Sequence, residues 1–270
     1  MTPLNEPRLP PELEENIFLQ ALDSSPSDAF KFILVAKRVH HWLIPQIFKT
    51  VIYHYDESSP IRFDIHSFER YANHVQHLFL EPENLLQYLY LFSNVTNLVL
   101  WGECSPAQLE ILLEFNHLTH LAVVIGDDVS IPPPIYFALF SKVTHLDLMS
   151  SCDFWWLDEI KPNFNFPLLT HLCVLCDANT EVIKLFLDRI RCPNLAVVIL
   201  WDPSPEAVTM VRPEVEGRDE VPVKDERLVH ILCQDSVRDW ESGVRGGDDM
   251  WKVADRHIAS RQVESPNRGL

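Results

Sequence analysis

The sequence predicts an α/β fold: a stacked, solenoid-like array of parallel strands, with helices or turns on the convex side and a small all-α unit in front. Three observations predict it. One apolar phrase recurs, reading Val75-Gln-His-Leu78-Phe-Leu80, Val95-Thr-Asn-Leu98-Val-Leu100, Leu118-Thr-His-Leu121-Ala-Val123, Val143-Thr-His-Leu146-Asp-Leu148 and Leu169-Thr-His-Leu172-Cys-Val174. Weaker copies follow at Leu195-Ala-Val-Val198-Ile-Leu200 and Leu228-Val-His-Ile231-Leu-Cys233. The central residues Leu78, Leu98, Leu121, Leu146, Leu172 and Val198 stand 20, 23, 25, 26 and 26 residues apart. Helix-start signals lie between the phrases, at Ser105-Pro106 and at Asn179-Thr180-Glu181.

A fixed phrase at a period of about 20–29 residues is the signature of a leucine-rich repeat. The asparagine ladder of regular repeats is missing, because position nine holds Glu83, Glu103, Gly126, Ser151, Asp177 and Pro203. The expected architecture is therefore an irregular leucine-rich-repeat solenoid over residues 71–211. Residues 1–52 read as a separate helical unit. Pro10 and Pro11 suit a first helical turn, since a missing N–H costs nothing there. Leu13, Ile17, Phe18 and Ala21 follow at helical spacing, and Ser24 to Asp28 reads as a turn. A second helix takes in Phe30, Ile33 and Leu34, with Lys37 and Arg38 at its exposed end; Val39, Trp42, Leu43, Pro45, Ile47 and Phe48 complete the unit.

Residues 53–70 form a connector. Pro132 to Pro134 precede a short helical turn at Tyr136–Phe140, and 154–166 show no clean period. Residues 212–226 are polar and apolar-poor, the pattern of a mobile acidic surface loop. Residues 227–270 hold the last strand, a short helix near 235–242, a Gly246-Gly247 turn and a helix over about 249–262. A terminal repeat exposes an apolar end, and this last segment is expected to cap it.

The N-terminal residues carry a resemblance. Leu9-Pro-Pro-Glu-Leu13, Ile17-Phe18, Leu34-Val35-Ala-Lys-Arg38-Val39, Trp42, Pro45 and Phe48 resemble an F-box. With the repeats and a tail of Trp240-Glu-Ser-Gly243, Gly246-Gly247, Asp249-Met-Trp251 and Ala254-Asp255, the chain is similar to short fungal F-box-like proteins with degenerate leucine-rich repeats. The resemblance implies docking on the Skp-type adaptor of a cullin–RING ubiquitin ligase, while the repeats hold an as yet unidentified target protein. By resemblance the adaptor contacts come from Leu9, Pro10, Leu13, Ile17, Phe18, Val35 and Trp42 or their neighbours, some of which must instead pack the unit's own core. Such a chain raises the effective concentration of a target beside the ligase and catalyses nothing itself. The alternative is a repeat-based interaction protein with no ligase link, its first helices serving only as an N-terminal cap.

Composition is consistent with either. A hydrophobic content of 47% supports a continuous core. A formal net charge of −17 with no Lys/Arg-rich stretch argues against nucleic acid as partner. No apolar run has transmembrane length, and the acidic, proline-containing start is unlike a signal peptide. The expectation is an intracellular protein, cytoplasmic or nuclear, monomeric by itself, with its six cysteines reduced.

Alternate strand residues face opposite sides, so positions four and six enter the core, and three, five and seven face the concave side. Position three is His77, Asn97, His120, His145, His171, Val197 and His230. Strands about 4.8 Å apart stack these rings as a ladder. The plain reading is a polar ladder bonded to neighbouring threonines, with Thr96, Thr119, Thr144 and Thr170 binding backbone at the strand edge. The sharper readings are a pH-sensitive or metal-binding stripe, but no carboxylate or thiol completes a four-ligand set along it, and around His171, Cys173 and Cys176 a fourth ligand could come only from His145 next door. Positions five and seven are apolar for an exposed face. His77, Trp101, His120, His145, Met149, His171, Leu175 and Trp201 are the partner-contact candidates, unless the C-terminal segment or the 212–226 loop folds over them. No nucleophile elbow, phosphate loop or paired ligand motif appears, so no catalytic, cofactor or metal site is assigned. A hydrolase would need an acid or thiol meeting a histidine, for which His171 and Cys173 are the candidates. Asp248-Asp249 is expected to be solvated or to cap the last helix.

Overall fold

A computed structural model describes residues 9–53, 69–81, 88–104, 106–124, 133–149, 165–176, 180–202, 210–211, 223–233 and 235–264. Most of the connector (54–68), most of the acidic loop and the segment 154–164 lie outside the described residues.

Helix α1 (Pro11–Ser24) opens with proline in its first turn, and Glu12 and Glu14 sit at the positive end of its dipole. Helix α2 (Ala29–Phe32) is one turn long, and α3 runs Lys37–Ile47. The expected second helix is thus interrupted at residues 33–35, which form a turn, and Ala36 is extended (φ −159°, ψ 154°) before α3 begins. Leu22, Ala29, Val39 and Leu43 make the small core, with Phe18, Leu19, Phe32, Ile33, Trp42 and Ile47 packed around it. Arg38 spans from α3 to α1 and donates two hydrogen bonds to the Glu14 carboxylate, at 3.0 and 2.7 Å. This fork fixes the rotation of α1, and it leaves Leu13 and Ile17 on the outside.

The rest of the chain builds one nine-stranded sheet: β1 (Thr50–Tyr53), β2 (His77–Leu80), β3 (Asn97–Glu103), β4 (His120–Val124), β5 (His145–Leu148), β6 (His171–Leu175), β7 (Val197–Asp202), β8 (Met210–Val211) and β9 (Leu228–Leu232). The spatial order is β1-β2-β3-β4-β5-β6-β7-β9-β8, parallel throughout except for the β8–β9 pair. Leu78, Leu98, Leu121, Leu146 and Leu172 align in one row across neighbouring strands, as the repeated phrase predicts. That row and the row of Leu80, Leu100, Val123, Leu148 and Val174 face one continuous core. Helices α4 (Pro106–Leu113), α5 (Pro133–Phe140) and α6 (Thr180–Leu187) pack there through Leu109, Leu112, Tyr136, Leu139, Phe140 and Phe186.

Three features depart from the expectation. Strand β1 lies at the end of the expected helical unit and extends the sheet by one rung, pairing Thr50 with His77. Its sequence, Thr-Val-Ile-Tyr, is β-branched and aromatic, but it lacks the repeated phrase. Second, β9 is offset by three residues from the expected alignment: Leu228, not Ile231, lies beside Val198. An odd offset reverses the faces, so Val229 and Ile231 now leave the helix-covered core, and His230 is not part of the position-three row. Arg227 sets this register. It is buried, donates to the Leu187 and Leu195 carbonyls and pairs with Asp225, while its own carbonyl accepts from Val198 N–H at 2.8 Å.

Third, the C-terminal segment packs on the last strands of the sheet but is not confined to the end of the stack. Helices α7 (Ser236–Val244) and α8 (Met250–Glu264) lie across the face of the sheet opposite α4–α6, where Ala254 and Ile258 are buried with Phe79, Val99, Cys173, Ile199 and Ile231. The apolar face offers far more surface to cover than the stack's last edge, so burial favours this placement. Gly246 makes the turn between the helices at φ +88°. Gly243 permits their approach: a Cβ there would meet Asp249 Oδ2 at 2.1 Å and its Cβ at 2.8 Å. Asp235 and Asp249 cap the two helices, accepting from Arg238 N–H and Lys252 N–H at 2.9 Å each.

Leu146 is fully buried at the centre of the leucine row. Leu146→Ala is expected to cost about 2–5 kcal/mol of unfolding free energy, read from urea denaturation. A loss comparable to that of an exposed site would contradict the shared core.

Candidate functional site

The position-two threonines lay down the frame of the opposite face. Thr96, Thr119, Thr144 and Thr170 each donate a side-chain hydrogen bond to the carbonyl of the preceding strand's position-two residue, at 3.0–3.2 Å. Each hydroxyl has one hydrogen, so it acts as acceptor toward its neighbouring histidine. The Nδ1 atoms of His120, His145 and His171 therefore carry hydrogen and donate to Thr119, Thr144 and Thr170, at 2.9, 3.0 and 2.8 Å. In the neutral rings of His120 and His145 Nε2 is then an open acceptor.

The rings stack. Centroids of His120 and His145 are 3.9 Å apart and those of His145 and His171 are 4.1 Å apart, nearly parallel in both cases. Parallel planes direct the in-plane nitrogen lone pairs side by side rather than toward one point. Among the described residues no group of three histidine, cysteine or acidic side chains is arranged to hold a metal ion. His77 is separated from the stack by Asn97, and its Nδ1 is buried without a partner among the described residues, because Gln76 occupies the place of the threonine.

The C-terminal helices cover this face. Trp251 of α8 sets its ring edge-on to His145 and His171, at 5.4 and 5.8 Å, and Asp255 reaches His171 Nε2 at 3.2 Å. Of the partner-contact candidates, Met149 and Trp201 are buried, and His77, Trp101, His120, His145, His171 and Leu175 are half-buried. The alternative in which the C-terminal segment folds over the face is the one observed.

A cleft of about 260 Å³ remains between sheet and helices. Its aromatic wall is Phe79, Trp101, Trp201, Trp240 and Trp251. Phe79 stacks on Trp101 and meets the edge of Trp240, while Trp101 meets the edge of Trp201. Asp147, Asp239, Asp249 and Asp255 also line it. Sequence reasoning placed Asp147 in an apolar column without assigning it a role; a lone carboxylate among Phe, Val, Ala, Cys and Ile was the available signal. Asp239, Trp240 and Asp255 carried none, because their approach depends on how α7 and α8 dock.

Burial moves several groups. It lowers the His77 and His120 imidazoles from 6.5 to about 4, helped by Lys49 in the first case and by the charges of His171 and His77 in the second. It lowers His145 to about 2, with the flanking histidines adding to the effect. It raises Asp147 from 3.8 to about 7, against a hydrogen bond from Cys173 and with help from the Asp239 charge. The Cys173 thiol is pushed well above its ordinary value, first by burial and then by Asp147. A thiol held protonated is a poor nucleophile, so the His171–Cys173 pair gives no support to a hydrolase. Cys176 packs toward the other core, on the opposite side of the sheet from Cys173.

A second site is the surface of the N-terminal unit. Leu9, Leu13, Ile17 and Val35 are exposed, with Phe30 and Leu34 adding to the exposed apolar surface at 62% and 83%. Pro10 is exposed as well, whereas Phe18 and Trp42 pack on the small core. The structure thereby divides the seven adaptor-contact candidates into five outer and two inner residues.

Compared with known proteins, the chain matches no family model and no curated protein. Among the described residues no helix is long and apolar enough to cross a membrane.

The depressed imidazoles contribute stability that is present above about pH 6.5 and is lost as pH falls toward their folded values. Asp147 acts in the other direction: its contribution is present below 3.8 and is lost as pH rises through about 7. Three imidazoles against the carboxyls of Asp147 and Asp249, the latter also raised by burial, leave acid destabilising. The melting temperature is expected to fall between pH 6.5 and pH 4, and Asp147→Asn to steepen that fall, since each net proton amounts to about 1.4 kcal/mol per pH unit. Identical pH profiles for the two proteins would contradict the assignment.

Proposed function

We propose that this chain is a substrate-receptor adaptor of a Skp/cullin-type ubiquitin ligase, an F-box-like unit followed by an irregular leucine-rich-repeat solenoid. The observation that carries the reading is the exposure of Leu9, Leu13, Ile17 and Val35, four residues that the F-box resemblance assigns to adaptor contact. A three-helix unit with so little core of its own has reason to keep large side chains inside. Apolar side chains left outside such a unit are the usual mark of a protein contact. Arg38 and Glu14 hold α1 in the rotation that keeps Leu13 and Ile17 outward. The working place of such an adaptor is the cytoplasm or nucleus.

The target surface must lie elsewhere than the flat strand face, since α7 and α8 cover it. The second reading, an N-terminal cap with no ligase link, draws on a different observation: α3 leads straight into edge strand β1, and Phe48 stacks on Tyr71 at 4.3 Å beside it.

Co-purification with a Skp-type adaptor separates the two. Leu13→Asp and Ile17→Asp are expected to abolish capture while leaving the melting temperature within a few degrees, because both positions are 52% exposed. Absence of capture by the unaltered chain at micromolar concentrations would favour the cap.

A further inference from the structure

The cleft between the sheet and α7–α8 holds groups that the adaptor reading does not use. Asp147 lines it; its carboxyl takes a hydrogen bond from Cys173, while its Oδ1 atom is shut off from solvent with no partner among the described residues. A buried carboxylate oxygen without a donor is costly unless something fills that place. Trp201 also lines the cleft, and its buried Nε1–H has no acceptor among the described residues. A buried acceptor and a buried donor, both unmatched, belong to side chains that line one cavity.

The surrounding charge is of one sign. Asp239, Asp249 and Asp255 share the cleft with Asp147. Asp239 and Asp249 are engaged by the Met250 and Lys252 backbone N–H groups at 3.0 and 2.9 Å, and Asp255 by His171. The lining cation, Lys252, turns its Nζ to the Gly246 and Gly247 carbonyls. His120 and His145 are uncharged near neutrality and present Nε2 lone pairs, because their Nδ1–H groups are held by threonine. Among the other lining side chains are four tryptophans and a phenylalanine, whose ring faces attract positive charge.

We propose that this cleft binds a small organic cation, an ammonium group seated among the tryptophan rings and against Asp147, with an oxygen of the ligand accepting from Trp201 Nε1–H. An amino alcohol or an N-methylated amine has this chemistry. A metal ion does not suit the cleft, since it would find bulky rings where it needs ligands. An anion would meet four carboxylates. A cavity this polar and roomy admits water, so ordered water alone is the competing occupant. The proposal stands apart from the ligase reading, which concerns the opposite end of the chain.

The full chain is titrated with choline chloride, followed by tryptophan fluorescence and calorimetry. The control is 3,3-dimethylbutan-1-ol, the uncharged carbon isostere of choline with the same hydroxyl. Saturable choline binding is expected, with the isostere weaker by roughly tenfold or more. Asp147→Asn is expected to weaken choline by roughly tenfold and to leave the isostere unchanged. Should that variant lose its fold, Trp240→Leu, at a half-buried position on α7, gives the same comparison. Leu13→Asp should bind choline as the parent does. Absence of saturable choline binding, equal affinity for choline and its isostere, or unchanged choline affinity in the folded variants would each overturn the proposal and leave the cleft to water.

Discussion

The threonine–carbonyl contact between successive strands is the interaction on which the rest of the molecule depends. It recurs at Thr96, Thr119, Thr144 and Thr170, and each time it links the same position of neighbouring units. Because the strand period is two, holding position two in register holds every other position as well. Leucines line up in the helix-covered core, and histidines line up on the opposite face. The same hydroxyl settles the tautomer of the adjacent imidazole, so one side chain specifies the register of the backbone and the hydrogen-bonding polarity of the face above it.

That face cannot stay bare. Apart from Glu81 and Asp147 its positions five and seven are apolar from Phe79 to Trp201, and burying them against water is the largest favourable contribution open to the C-terminal segment. The helical pair meets the face with Ala254 and Ile258 where the sheet is apolar, and with Trp251 and Asp255 where the histidines stand. The fit is incomplete around Asp147. Closing that gap with an apolar side chain would desolvate the carboxylate fully, and the position of α7 instead leaves an opening. Polar groups deep in the sheet and an opening above them are thus two consequences of one packing choice.

What the sequence revealed follows from range. The repeated phrase, the threonine contacts, the Asp249 cap and the helix starts at Pro106 and Thr180 depend on residues a few positions apart or on exact repetition, and they could be read directly. Strand β1 escaped because it joins the stack without the phrase. The β9 register escaped because it is set by Arg227, whose carbonyl partners Leu187 and Leu195 lie 40 and 32 residues away. The course of α7 and α8 escaped for the same reason: helical spacing shows which side of α8 is apolar, but not whether that side closes the end of a stack or lies along its face. The sorting of Leu13 and Ile17 from Phe18 required the Glu14–Arg38 fork, a contact between helices 24 residues apart.

The two ends of the chain differ in how they treat apolar surface, and this difference bears on what each can do. At the C-terminal end the strand face is covered by the chain itself, aromatic against aromatic, with acidic groups left at the remaining gap. At the N-terminal end Leu34 is 83% exposed and Val35 63%, both in the turn between α2 and α3. The same chain that folds two helices over one apolar face leaves six large apolar side chains outside a unit with four core residues.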